Sequence, residues 1–207
     1  DLRWRTACQW GVPTSLAHTV AQDGTARVLA GMSQPSIHGW CRVHDGEGQF
    51  LHALQREDIV CWSIPSWMRS LQVADVDGDG QDEVITGLDT NHHQLIIYRL
   101  DGDILWEADL GAAATAVDVG PDTVIAGAAC GSVSAFAAAE GHRRWCAFLG
   151  QPVASVIARP NCTAAQCDNG ALAELDDTGK LQRVSAPAGV VRDPVQAKAL
   201  GEGVLLV

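Results

Sequence analysis

Residues 75–87 read DVDGDGQDEVITG, and they hold the densest group of oxygen donors in the chain. Asp75, Asp77 and Asp79 alternate over five positions, Gly80 follows, Gln81 can offer its side-chain carbonyl, and Glu83 closes the run at position 9. A hard cation such as Ca²⁺ takes about six to eight oxygen ligands at flexible geometry, and a D-x-D-x-D-G segment supplies most of them from one loop. Four carboxylates this close repel one another unless a cation or solvent screens them. The bland alternative is a solvated acidic turn. In an EF-hand the closing Glu comes later and helices flank the loop. Here SLQVA precedes and EVITG follows, both apolar and rich in β-branched residues, so the loop joins two strands.

A second set of chemistry-bearing residues is more dispersed. Residues 33–48, SQPSIHGWCRVHDGEG, carry His38, Trp40, Arg42, His44, Asp45 and Glu47. Asp89, Asn91, His92 and His93 form another polar group, and Trp10 and Trp67 stand in connecting segments. Indole faces beside Asn, Asp, His and Arg suit a sugar or a protein surface, and long loops on a rigid scaffold commonly carry binding sites. The competing reading is an inserted loop whose Trp is an anchor and whose His residues are solvated. Adjacent His92 and His93 would point apart and make a poor metal pair. A His with a carboxylate could also serve as general base and acid. No Ser or Cys nucleophile motif and no phosphate-binding glycine loop is present.

The elements that would hold these residues repeat. Trp62, Trp106 and Trp145 sit in the runs IVCWSIP, ILWEADL and RRWCAFL, at intervals of 106 − 62 = 44 and 145 − 106 = 39. Eleven residues past each Trp lies Val73, Val117 or Val156, in an apolar run. One more step of 39 lands on Val184. Trp4, in DLRWRT, fits the last strand of an earlier unit. A period near 40 with about four strands per unit is the pattern of propeller blades. Within one unit the strands read LQVADV, DEVITG, QLIIYRL and ILWEADL, with Asp101-Gly102 as a hairpin turn. The next reads TAVDV, TVIAGA, SVSAFAA and RRWCAFL; the one after reads VASVIA, CTAAQC, ALAEL and LQRVS. The first unit divides as LAHTVA, ARVLAGM, QFLHAL and IVCWSIP, which makes residues 33–48 an insertion between its second and third strands. No window shows a convincing helical stripe.

The acidic loop resembles the calcium loop of FG-GAP repeats, found in integrin α-subunits and many secreted bacterial proteins. The stretch from Val124 to Trp145 resembles quinoprotein-like repeats, which share a Trp near the end of each blade. Both resemblances imply an all-β fold, a β-propeller of four-stranded antiparallel blades. Because the end strands do not match a simple closure, the expectation is part of a larger ring, with a five-bladed ring closed between the N- and C-terminal strands, or two chains sharing one ring, as the alternatives. The expected division is a partial blade at 1–14, blades at 15–69, 70–111, 112–150 and 151–189, and a partial blade at 190–207. The resemblance implies a Ca²⁺ held by Asp75, Asp77, Asp79, Gln81 and Glu83. It places the loops carrying His38, Trp40, Trp67, His92 and His93 on the opposite rim.

With 25 acidic against 14 basic residues, the net charge is −11. That argues against a nucleic-acid partner, which needs clustered Lys and Arg. No apolar run approaches the roughly 20 residues of a membrane-spanning helix. Seven cysteines (8, 41, 61, 130, 146, 162 and 167) include no C-x-x-C pair, so a structural zinc site is not expected. Cys162 and Cys167 bracket an extended run too long for a disulfide, and the cysteines read as mostly free, buried thiols. Free thiols sit uneasily with an extracellular or periplasmic location, which calcium binding favours. The expected function is a calcium-stabilised module that binds a protein or glycan, with further blades from the same or another chain. The alternatives are a polysaccharide lyase or hydrolase with a His-based rim site, and a purely structural segment. A catalytic reading requires His38, His44, His92 or His93 to converge.

Overall fold

The computed structural model describes residues 4–6, 11–36, 39–56, 67–91, 93–185, 197–200 and 203–206. These contain 18 strands and no helix. The first sheet runs β1 (Pro13–Val20), β2 (Ala26–Ser36), β3 (Gly39–Asp45), β4 (Phe50–Leu54). The second is β5 (Trp67–Ala74), β6 (Glu83–Asp89), β7 (Leu95–Tyr98), β8 (Ile104–Ala108). The third is β9 (Ala114–Val119), β10 (Thr123–Ala128), β11 (Ser132–Ala137), β12 (Arg143–Phe148). The fourth is β13 (Val153–Arg159), β14 (Cys162–Cys167), β15 (Leu172–Asp176), β16 (Leu181–Ser185). Within each sheet consecutive strands pair antiparallel. A final hairpin, β17 (Ala197–Leu200) with β18 (Gly203–Leu206), lays β18 parallel to β12 and widens the third sheet to six strands.

The four sheets are propeller blades. Their innermost strands pack in succession, β1 on β5, β5 on β9 and β9 on β13. Each blade in the middle of the row is covered on both faces, so its central strands are buried on both sides; every residue of LIIY in β7 and SVSAFA in β11 is buried. The faces alternate strictly all the same. Leu71, Val84, Ile96 and Tyr98 of the second blade join Leu29, Cys41, Val43 and Leu54 of the first. Ile85, Leu95, Ile97 and Trp106 turn the other way, onto Val117, Val124 and Phe136 of the third. Side-chain hydrogen bonds across blades repeat too, with Thr14 Oγ1 donating to Met68 O at 2.7 Å and the matching Thr115 Oγ1 to Val153 O at 2.5 Å.

The tryptophans lock each blade to the next. The Trp106 indole lies over the β11–β12 turn at Gly141 and donates Nε1–H to Ala138 O at 2.7 Å. Trp145 lies over Gly179 in the β15–β16 turn, and Trp4 over Gly48 in the β3–β4 turn, donating to Gly46 O at 3.0 Å. Each turn needs glycine because a Cβ there would enter the indole ring. The ring side of each contact is completed by the end of the next blade's third strand. His44 stacks on Trp4 with centroids 6.3 Å apart, and Phe136 tilts against Trp106 at 5.7 Å.

The first blade differs from the sequence reading. Residues 33–48 are no inserted loop: β2 runs on to Ser36, and GWCRVHD is β3. The run FLHAL is the outer strand β4, not the third, and IVCWSIP lies outside the described residues. The outer position is set by register. Trp106 pairs with Ile97 and Trp145 with Ala135, and the matching partner of Val43 is His52. His52 acts as the indoles do, its Nε2 meeting Leu100 O beside the next blade's turn at 2.7 Å. An imidazole thus holds the outer-strand slot of the first blade, and Trp62, expected there from its interval, lies outside the described residues. In the fourth blade the slot falls on Arg183, opposite Glu174, one residue before Val184.

Candidate metal centre

The segment from Asp75 to Asp82 links β5 to β6 and turns back on itself through Gly78 and Gly80, both at positive φ (79° and 87°). Asp75 organises the turn, accepting from Gly78 N–H at 2.7 Å and Gly80 N–H at 3.0 Å. Glu83 opens β6 with its side chain turned back under the loop, where it is 1 % exposed and accepts from Val76 N–H at 3.0 Å. One oxygen each of Asp75, Asp77 and Glu83 lies within 4.8 Å of the others. Hard cations bind at about 2.3–2.6 Å from such oxygens, so the three could share one ion after a small contraction.

Of the five ligands expected from sequence, the structure gathers these three carboxylates. Asp79 instead accepts from Gln81 N–H at 2.7 Å, and Gln81 turns its amide Nε2 onto Gly80 O at 3.0 Å. Burial above all, then the charges of Asp77, Asp79 and Asp75, push the Glu83 carboxyl above its ordinary value; the Val76 N–H pulls the other way. A buried carboxylate beside three others favours either a proton or a cation.

Two contacts that spacing did not reveal tie the loop to its surroundings. Arg99, from the β7–β8 turn, pairs with Asp77 Oδ2 at 3.0 Å and offsets part of the negative charge. Thr19, at the end of β1, donates to Asp82, so the loop also bridges to the first blade. Neither has a sequence signal, since each joins the loop to a segment distant in the chain.

The opposite rim holds only part of what was expected there. Trp40 lies in β3 and is 1 % exposed within the core between the first two blades, so it presents no face to a ligand. Trp67 opens β5 opposite Asp89 and is 38 % exposed, with the Arg69 guanidinium 4.3 Å above its ring. His93 adopts φ of 55°, its Nδ1 lies 3.1 Å from Glu107 Oε1, Arg56 pairs with the same Glu107, and its N–H donates to Asp109. His38 and His92 lie outside the described residues. His44 is buried at the far end of β3, against Trp4 and the Gly48 turn, so it does not converge with His93. The cysteines 41, 130, 146, 162 and 167 are all free, and Cys162 and Cys167 stand at the two ends of β14. No helix of the described residues is long and apolar enough to cross a membrane.

No protein-family model and no curated protein matches the chain. Solved structures do. The chain is similar to the computationally designed Ika4 protein at TM-score 0.66 and 17 % identity, covering 85 % of this chain and 98 % of that one. It is similar to Saccharomyces cerevisiae Sqt1 at TM-score 0.67 and 16 % identity, over 83 % of this chain and 48 % of Sqt1. It is also similar to BBS1N in complex with ARL6DN, at TM-score 0.65 and 10 % identity, over 85 % of this chain and 56 % of BBS1N. The chain thus spans about half the length of Sqt1 and of BBS1N. At these identities the likeness is one of fold, and the fold is an all-β propeller of four-stranded antiparallel blades.

Proposed function

We propose that this chain is a calcium-stabilised propeller segment of the FG-GAP type that serves as a protein-binding module. The convergence of Asp75, Asp77 and the buried Glu83 within one strand-joining loop carries the reading. The ion's part is structural: it offsets the cost of burying Glu83 and stiffens a loop that reaches both Arg99 and Thr19. Asp79 and Gln81 complete the shell by turning inward when the ion binds. A calcium-rich, extracytoplasmic setting suits such a site.

The binding surface is the opposite rim of the second blade, around Trp67, Arg69, Asp89 and His93. A protein partner fits it better than a glycan, because Arg69 covers the exposed indole face on which a sugar would stack. The solved complex of BBS1N with ARL6DN supports the reading by analogy of fold alone.

Thermal melts in EGTA and in excess Ca²⁺ test the metal site. At a free concentration about a hundred times Kd, binding adds about 2.7 kcal/mol, or about 5–11 °C in Tm for a domain of this size. Glu83→Gln keeps the side chain's shape and removes its charge, so it leaves the EGTA melt unchanged or higher and abolishes the response to Ca²⁺. A wild-type melt that ignores Ca²⁺ would remove the reading. For the rim, a glycan-array signal lost in Trp67→Ala would replace the protein partner by a sugar.

A further inference from the structure

The first blade carries a face that the other blades use for docking. Aligning the blades by register puts Leu16, Leu71, Val117 and Val156 at one position, opposite Ala30, Thr86, Ala126 and Ala165. Leu71 is 8 % exposed, Val117 4 % and Val156 7 %, because each packs on the blade before it. Leu16 is 71 % exposed, with Val20 beside it on the same strand face at 60 %. The residue type matches and only the cover is missing.

Trp4 says what the cover is. In the second and third blades the indole that docks on the next blade's turn comes from the outer strand, after that blade's other three strands in sequence. Trp4 makes the same contact with the first blade: ring over Gly48, Nε1–H to a turn carbonyl, and His44 where Phe136 stands. The dipeptide is shared as well, Arg3-Trp4 against Arg144-Trp145, although Leu2 stands where Arg143 does.

We propose that this face of the first blade is a blade–blade interface, that its occupant is a further propeller blade, and that the Trp4 segment is the outer strand of that blade. The three inner strands lie immediately N-terminal to it in the polypeptide. A second copy's fourth blade does not fit the role. Its far side is bare at Leu172, but two docking features are absent. Gly31, Gly87 and Gly127 admit the next blade's first strand residue, and the matching position in the fourth blade is Gln166. Its docking ring is replaced by Arg183. The Gly48 slot is moreover already filled by Trp4.

The test joins a duplicate of residues 112–142 directly to Leu2 of the full chain, so that Trp4 falls in the register of Trp145. Leu16→Glu is then compared in both backgrounds by thermal melts. In the chain as it stands, the substitution lies in solvent and leaves Tm unchanged. In the extended chain it lowers Tm as far as Leu71→Glu does, and Trp4→Ala cancels the Tm gained by extension. The inference is overturned if Leu16→Glu already destabilises the unextended chain, which would mean another copy or segment covers the face. It is equally overturned if the extended chain tolerates Leu16→Glu.

Discussion

Replacing Gly141 by Ala probes the contact that holds the blades together, and Gly24→Ala supplies its control. Both glycines sit in hairpin turns at nearly the same left-handed φ, 72° and 76°. Forcing Ala into that region costs about 1–2 kcal/mol at either site. The environments differ. A Cβ at Gly24 meets nothing within 4 Å, whereas at Gly141 it would stand 2.5 Å from Trp106 Cδ2 and 2.6 Å from Cγ. The indole cannot swing aside freely, because its Nε1–H is bonded to Ala138 O and Phe136 leans on the ring. Overpacking of this kind adds about 1–3 kcal/mol, so Gly141→Ala should cost about 2–5 kcal/mol against about 1–2 for Gly24→Ala. Each kcal/mol lowers Tm by about 2–4 °C in a domain of this length. Thermal and urea unfolding followed by circular dichroism read both variants. The steric share must vanish when Trp106→Ala is combined with Gly141→Ala, since the clash then has no partner. Equal losses for the two glycine variants, or a penalty that survives in the Trp106→Ala background, would refute the docking account.

Two further outcomes follow from buried titratable groups. Burial, and to a lesser degree the Arg42 charge, depress the His44 imidazole below its ordinary 6.5, while the Gly48 carbonyl and Asp45 oppose them. The native state therefore holds His44 neutral, and the unfolded chain takes up a proton first as pH falls. His44 stability is complete above 6.5 and is lost as pH drops through 6.5 toward the depressed folded value. The stability gap between wild type and His44→Phe, measured by denaturant titration from pH 7.5 to 5, should move against wild type as pH falls; a constant gap would contradict it. Burial also pushes the Cys41 thiol up to about 12, whereas Cys130 is exposed. At pH 8 a disulfide reagent should modify Cys130 in the native protein and reach Cys41 only on unfolding; early labelling of Cys41 would show that β3 opens readily.

The acidic cluster was legible because its carboxylates are close in the chain: Asp75, Asp77 and Glu83 must lie near one another whatever the rest of the chain does. The third blade was legible for a similar reason, its Gly-Asp turns and valines repeating those of the second. The first blade was obscured by two substitutions. His52 holds the slot of an indole, so the Trp spacing passes over β4 to Trp62, which lies outside the described residues. In β3 the buried residues include Arg42 and His44, covered by Phe50 and Trp4. A strand whose covered face is polar reads as a loop, and on that pattern alone Trp40 falls on the rim. The same limit hid Thr19 and Arg99 beside the acidic loop, because the approach of Thr19 depends on how the first two blades are set and that of Arg99 on strand pairing within the second.

What the amino-acid order determined alone was local: alternating apolar residues make strands, glycine with aspartate makes their turns, and alternating carboxylates make a compact acidic loop. These depend on near neighbours in the chain, where spacing and side-chain direction are coupled. Tertiary structure decided which of those strands are inner or outer, which ring docks on which turn, and which equivalent leucine is core and which is bare. Those are outcomes of sheets stacking on sheets, where burial is conferred by a surface far away in sequence; Leu16 and Leu71 share one register position and differ only in whether a blade lies against them.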